Sequence, residues 1–158
     1  MSRLFALALT AAALIAPLAH AADAKLGAIT VRQPWSRPAQ AGMNAVGFMT
    51  IANAGKTPVT LKRAESPAVA EVQMHQSAMA NGVMTMRGLD QGVVIPAGGQ
   101  IVFAPGGYHF MLISLKQAQA AGQKLPVTLV FGDGRKLTVD LAVTLTPPTA
   151  QGASEHGH

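Results

Sequence analysis

The chain has 158 residues, with 12 Lys and Arg, 7 Asp and Glu, a formal net charge of +5 and no cysteine. This length predicts one domain, and the scattered basic residues, which form no run, disfavour nucleic-acid binding. Without cysteine there can be no disulfide framework, iron–sulfur cluster, thiolate zinc site or blue-copper centre.

Residues 1–21 are predicted to be a secretory signal peptide. Arg3 supplies the positive start, the stretch from Leu4 to Leu18 is almost wholly apolar, and Ala19-His20-Ala21 has the small residues of a cleavage site. The apolar stretch is too short to stay as a membrane-spanning helix, and no later stretch is long and apolar enough to span. We therefore expect cleavage after Ala21 and an exported protein that does not span a membrane.

Short β-rich runs separated by Gly, Pro and Asn follow the signal peptide. Residues 117–122 are predicted to form at most one or two helical turns. Regularly spaced short strands with turn residues between them predict an all-β fold, an antiparallel sandwich or barrel. The predicted strands are residues 29–32, 45–51, 59–64, 69–75, 83–86, 92–95, 100–103, 109–115, 125–131 and 136–146.

Asn81-Gly82 predicts a two-residue β-hairpin turn. The hairpin would pair residues near 76–80 with residues near 83–87, which would bring Met86 towards His75. Because side chains two residues apart share a face of a strand, Met84 and Met86 would lie side by side, and either could face His75. The other methionines before this hairpin and in it, at 43, 49, 74 and 79, are interpreted as packing or surface residues.

The segment from Pro105 to Leu112 carries a second His and Met. Gly106 and Gly107 allow a tight turn, and on the strand that follows His109 and Met111 would point to one face. A single His-x-Met pair is more often found on a half-buried strand without any metal. Imidazole nitrogen together with thioether sulfur suits Cu(I) better than Zn(II), Mg(II) or Ca(II).

His75, Met86, His109 and Met111 would together make four neutral donors. A neutral ligand set leaves the charge of the ion uncompensated, and a single positive charge costs less to hold in a partly dry site than a double charge. The donor set therefore favours Cu(I) over Cu(II). Since a protonated imidazole cannot bind a metal, the affinity for Cu(I) should fall as the pH falls.

The spacing of these residues resembles the signature of the periplasmic PCuA(C) copper chaperones, which is H, ten residues, M, twenty-one residues, H-x-M. Here ten residues separate His75 from Met86, and the gap from Met86 to His109 is one residue longer than in the signature, a difference that a loop near 88–99 would absorb. Other segments that resemble the family are Trp35-Ser36-Arg37-Pro38, Asn53, Pro96-Ala97-Gly98-Gly99, the segment from Pro105 to Leu112, and Leu129-Val130-Phe131.

The resemblance implies a cupredoxin-like antiparallel Greek-key sandwich or barrel over residues 22–146. It implies a monomeric periplasmic protein, not an enzyme, that binds one Cu(I) through His75, Met86, His109 and Met111. The implied partners are a copper donor and a copper-acceptor protein, which in several family members is cytochrome c oxidase subunit II; a role in general copper tolerance is the alternative. Because copper must be released, we expect the site at a surface end of the barrel with at least one reachable Met.

Residues 147–158 are predicted to be a disordered tail, which ends in Glu155-His156-Gly157-His158. Family members with His-rich or Met-rich tails suggest weak Cu(II) binding at His156 and His158; a solvated terminus is the alternative.

Two other functions are compatible with the sequence. Cleavage after Ala19 would make His20 the first residue, as in a secreted copper oxygenase, although it would place Pro17 unfavourably at the −3 position. The chain could also be a metal-free β-sandwich that serves in adhesion or assembly.

Overall fold

A computed structural model describes residues 22–149 of the protein. The predicted signal peptide with His20, and the end of the tail with His156 and His158, lie outside the described residues. Within the described range the chain forms eleven strands and no helix. These strands are β1 (Ala24–Leu26), β2 (Ile29–Ser36), β3 (Ala45–Asn53), β4 (Val59–Glu65), β5 (Val69–Ala80), β6 (Val83–Gly88), β7 (Val93–Ile95), β8 (Gln100–Phe103), β9 (Tyr108–Leu115), β10 (Lys124–Phe131) and β11 (Lys136–Val143).

The strands make one open sheet in the order β6-β5-β9-β8-β3-β2-β11-β10-β4-β7, with β1 added to β2. The predicted all-β, cupredoxin-like fold is confirmed. Most pairings are antiparallel, but β2 pairs with β11, and β8 with β9, in parallel. The sheet is therefore mixed, a feature that the pattern of strands and turns does not reveal.

The local structure differs from the sequence analysis in two places. Residues 117–122 form no helix; Gln119 instead exchanges backbone hydrogen bonds of 3.1 and 2.8 Å with Ala39. A helix of one turn is costly to nucleate, so tertiary hydrogen bonds outweigh its weak propensity. Strand β1 was not predicted, and it pairs along β2 across a turn at Gly27, which has a φ of 58°.

One hydrophobic cluster fills the interior. It includes Met74 of β5, near one end of the strand order, and Ile95 of β7, at the other end. Strands from opposite ends of an open sheet can share a core only if the sheet folds over on itself, which gives the sandwich its two layers. Among the described residues, no buried side-chain nitrogen or oxygen lacks a hydrogen-bond partner.

Strand β5 is the element that organises the candidate site. It has 12 residues, the first part of which pairs with β9 while the last part pairs with β6. His75 lies where these two pairings overlap, opposite His109 of β9 and Gly88 of β6. A single residue of β5 is thereby adjacent to both of the other strands that carry predicted ligands.

Candidate metal centre

The β5–β6 hairpin brings His75 and Met86 into contact. Asn81 and Gly82 have φ values of 51° and 76°, which confirms the predicted two-residue turn with positive φ at both positions. Met86 pairs directly with Ser77, so it is the diagonal neighbour of His75 on the same face of the sheet. Gly88, opposite His75, has no side chain, and the His75 Nδ1 and Met86 Sδ atoms are 3.3 Å apart.

The β5–β9 pairing brings the second histidine to the same place. His109 is directly opposite His75, with the ring centroids 5.7 Å apart and the rings nearly perpendicular at 84°. Met111 lies two residues further along β9, opposite Gln73, and therefore on the same face as both histidines. The structure thus brings His75, Met86 and His109 together and places Met111 beside them on that face.

Hydrogen bonds orient both imidazoles. The Nε2 atom of His75 lies 3.1 Å from the Gln73 Oε1 atom, and the Nδ1 atom of His109 lies 3.1 Å from the Gly107 carbonyl oxygen. Both partners are oxygens that only accept, so these ring nitrogens carry the protons in the neutral rings. The free lone pairs are then on Nδ1 of His75, which faces Met86, and on Nε2 of His109. Sequence reasoning missed Gln73 as an orienting group, because its role depends on which way His75 points.

The donor spacing fits a bound metal ion. With zinc bond lengths of about 2.0 Å to nitrogen and about 2.3 Å to sulfur as a guide, two ligands of a tetrahedral ion lie about 3.5 Å apart. The separation of 3.3 Å between His75 Nδ1 and Met86 Sδ is close to this value. An ion could therefore bridge the two atoms with little movement of either strand.

Exposure to solvent rises across the site. His109 is 6% exposed, His75 and Met111 are half-buried, and Met86 is 56% exposed. Phe110, between the two β9 residues, points the other way into the core, where it stacks on Phe103 with ring centroids 4.3 Å apart. The site therefore has a fixed inner side at His109 and an accessible outer side at Met86.

The described residues hold no cluster of charged or imidazole ligands. Residues 22–149 contain no group of three or more His, Asp or Glu side chains that could hold a metal ion.

Two carboxylates away from the candidate centre form ion pairs with basic residues. A hydrogen bond from the Lys136 ammonium group holds the pKa of Glu65 below its usual value, and the backbone N–H of Arg135, followed by its guanidinium group, lowers the pKa of Asp133. Asp133 is thus a turn residue, between β10 and β11.

The structure distinguishes between the methionines of this region. Met86 is in contact with His75, whereas Met84 lies one step further towards the turn, opposite Met79. Met49 and Met74 are buried in the core, which confirms that they are packing residues. The side chain of Met79 is exposed, as expected for a surface residue.

Comparisons with known proteins identify relatives of the whole domain. Residues 29–143 match the family described as "Putative lipoprotein LpqE-like". A protein of Leifsonia xyli subsp. xyli named "Putative lipoprotein Lxx21020" is 38% identical over 115 residues, which are 73% of this chain and 69% of that protein. No helix among the described residues has the length and apolar character needed to cross a membrane.

Two solved structures are similar in fold. The copper-bound PCuAC domain from PmoF2 matches with a TM-score of 0.65 and 25% identity, covering 78% of this chain and 97% of that domain. The solution structure of CuI-DR1885 from Deinococcus radiodurans matches with a TM-score of 0.50 and 26% identity, covering 69% of this chain and 76% of that protein.

Proposed function

The chain belongs to the LpqE-like family, which corresponds to the PCuA(C) family, and from this membership we propose that it is an exported copper chaperone. In this proposal it holds one Cu(I) through His75, Met86, His109 and Met111. The observation that carries the proposal is the 3.3 Å approach of the His75 Nδ1 and Met86 Sδ atoms beside His109. The copper-bound PmoF2 domain and CuI-DR1885 support copper as the cargo.

The ligand types support Cu(I) as the oxidation state. Two thioethers and two neutral imidazoles are soft or borderline donors without charge, which suit a monovalent ion better than Cu(II). The site would keep copper as Cu(I) throughout, so that loading and release are ligand exchanges without electron transfer. The protein would carry the ion and would not turn over a substrate.

The exposure of the four donors suggests an order of release. Met86 is 56% exposed and its thioether is a weaker donor than an imidazole or a thiolate, so an incoming ligand of the acceptor would displace it first. His109 is buried and hydrogen-bonded to Gly107, so it would be the last of the four donors to release the ion. A carrier of this kind holds copper away from solvent but yields it stepwise to a partner.

We further propose that the protein acts in the periplasm, with a copper donor and an acceptor of which cytochrome c oxidase subunit II is the first candidate. The names of the lipoprotein relatives fit export. The acceptor is tested by mixing the Cu(I)-loaded protein with the soluble domain of subunit II and measuring where the copper resides after separation. Copper that stays on the chaperone would exclude this acceptor. Cu(II) binding at His156 and His158 stays a prediction from sequence.

The test of the site is a Cu(I) competition titration of the mature protein against a colorimetric chelator, under anaerobic reducing conditions. We expect one tight equivalent, and Met86→Leu should weaken it by about tenfold or more, since even the outer-sphere partners of metal ligands contribute about 10–100-fold. Met43→Leu is the matched control, because Met43 is 60% exposed and lies outside the hairpin. Absence of tight binding, or equal affinity in wild type and Met86→Leu, would contradict the proposal.

A further inference from the structure

The tip of the β5–β6 hairpin carries a second pair of thioethers that the candidate centre does not use. We propose that Met79 and Met84 form a second, weaker Cu(I) site, one step outward from Met86. This inference rests on the proposed function, since it takes copper to be the cargo of the protein.

Exposed apolar side chains are concentrated on this hairpin. Of the eight large hydrophobic residues that are exposed in the described structure, four belong to residues 79–86, namely Met79, Val83, Met84 and Met86. Met79 is 66% exposed and Met84 is 56% exposed. Clustered exposed apolar groups on a surface commonly mark a place of interaction, whereas single ones need no explanation. Three of these four side chains carry a thioether sulfur.

The register of the hairpin places Met79 and Met84 side by side. Met79 and Met84 are directly paired across the antiparallel strands, so their Cβ atoms lie about 4.5–5.5 Å apart. Both point to the face that also carries His75, Ser77 and Met86. Because the side chain of Met is long and has three rotatable bonds, two such neighbours can turn their sulfurs onto one ion.

The surroundings of the pair select a soft ion. No Asp or Glu occurs between Glu71 and Asp90, so the hairpin tip offers no carboxylate to a hard cation. On the opposite face of the hairpin, the Arg87 guanidinium group donates a hydrogen bond of 2.8 Å to the side-chain oxygen of Gln76. Thioether sulfur is therefore the ligand type that the tip presents on the face of the candidate centre.

The position of the pair suits a transient site. Two thioethers without imidazole bind Cu(I) less tightly than the four-donor set, and both are open to solvent. Met84 is two residues from Met86 on the same strand face, about 7 Å along the strand. An ion held at the tip would need one exchange of ligands to reach Met86, and the reverse exchange would bring it out to a partner.

The experiment is a Cu(I) titration of the protein labelled with methyl-13C methionine, followed by NMR under anaerobic conditions. At one equivalent we expect the Met86 and Met111 methyl signals to move. Between one and two equivalents we expect the Met79 and Met84 signals to shift progressively, while the equally exposed Met43 signal stays in place. Met79→Leu and Met84→Leu identify the two signals, and the double variant should lose the second equivalent while keeping the first.

The outcomes separate this inference from the proposed function. If Met86 responds at one equivalent but Met79 and Met84 stay unchanged up to two, the second site is overturned and the first remains. If neither Met86 nor any other methionine responds at one equivalent, the proposed function is overturned together with this inference. A second equivalent that persists in the double variant would also overturn the site at the tip.

Discussion

At the scale of single residues, the candidate centre depends on which atoms of two histidines are free to bind. The Nε2 atom of His75 is hydrogen-bonded to the Gln73 Oε1 atom at 3.1 Å. The Nδ1 atom of His109 is hydrogen-bonded to the Gly107 carbonyl oxygen, also at 3.1 Å. The remaining lone pair of His75 faces a sulfur at 3.3 Å. Orientation of this kind fixes the tautomer before a metal arrives, so less ordering is required on binding.

A first prediction concerns pH. The affinity for the first equivalent of Cu(I) should fall between about pH 7 and about pH 5, because protons compete with copper for the two imidazoles. Competition titrations across this range, with a chelator of known pH dependence, measure the effect. The second equivalent at Met79 and Met84 is an internal control, since thioethers take up no proton here. A first-site affinity that is flat with pH would argue against imidazole ligation.

At the scale of elements, the β5–β6 hairpin is the part that makes the site possible. Its two-residue turn at Asn81 and Gly82 sets the register, and the register places Met86 diagonally from His75. Strand β6 is at the end of the strand order and all of its residues are exposed, so it is held by β5 and contributes no buried residue to the core. The outer candidate ligand, Met86, therefore lies on an element that could move without unfolding the sandwich.

A second prediction tests this dependence. Gly82→Val forces a β-branched side chain into a conformation with a φ of 76°, at a cost of about 1–2 kcal/mol, and the added Cβ would meet no atom within 4 Å. We expect the β6 strand to fray and the Cu(I) affinity to fall, with little change in the thermal unfolding of the core. Hydrogen exchange of the β6 amides and a Cu(I) titration measure the two effects.

The matched control for Gly82→Val is Gly134→Val in the turn between β10 and β11. Gly134 has a φ of 87° and equally open surroundings, so the local strain is comparable, but the turn carries no predicted ligand. Equal losses of Cu(I) affinity in the two variants would show that the effect is a general loss of stability and does not come from the hairpin.

At the scale of the whole molecule, the fold separates a buried core from an exposed end strand, β6, which carries the candidate ligand Met86. Fully buried aliphatic and aromatic residues, including Phe110, Leu112 and Leu129, pack into one cluster. No disulfide assists them, because the chain has no cysteine. The binding of a ligand to the folded state alone should therefore raise the free energy of unfolding of the domain.

A third prediction follows from this linkage. At free Cu(I) about 100 times the dissociation constant, binding adds about 2.7 kcal/mol to the free energy of unfolding, which raises the unfolding midpoint by on the order of 10 °C. Thermal unfolding with buffered Cu(I) measures the shift, and removal of copper by a chelator should reverse it. Mg(II) is the control, since the described residues offer no carboxylate cluster for it. A thermal unfolding midpoint that is the same with and without Cu(I) would contradict binding to the folded state.

The sequence by itself determined the features that depend on neighbours along the chain. The alternation of apolar residues and the turn residues indicated the strands, and Asn81-Gly82 indicated the hairpin that joins His75 to Met86. The shared face of His109 and Met111 follows from their spacing of two on a strand. All of these are local, because backbone geometry alone relates residues that are a few positions apart.

Only the tertiary structure decided what depends on distant pairings. The register of β5 against β9 puts His109 opposite His75, and packing of both strands onto the common core sets that register. The same structure buries His109 and pairs β2 with β11 in parallel. It also replaces the predicted helical turn near Gln119 by a bridge to Ala39. These outcomes depend on contacts between residues far apart in the chain, which local propensity cannot encode.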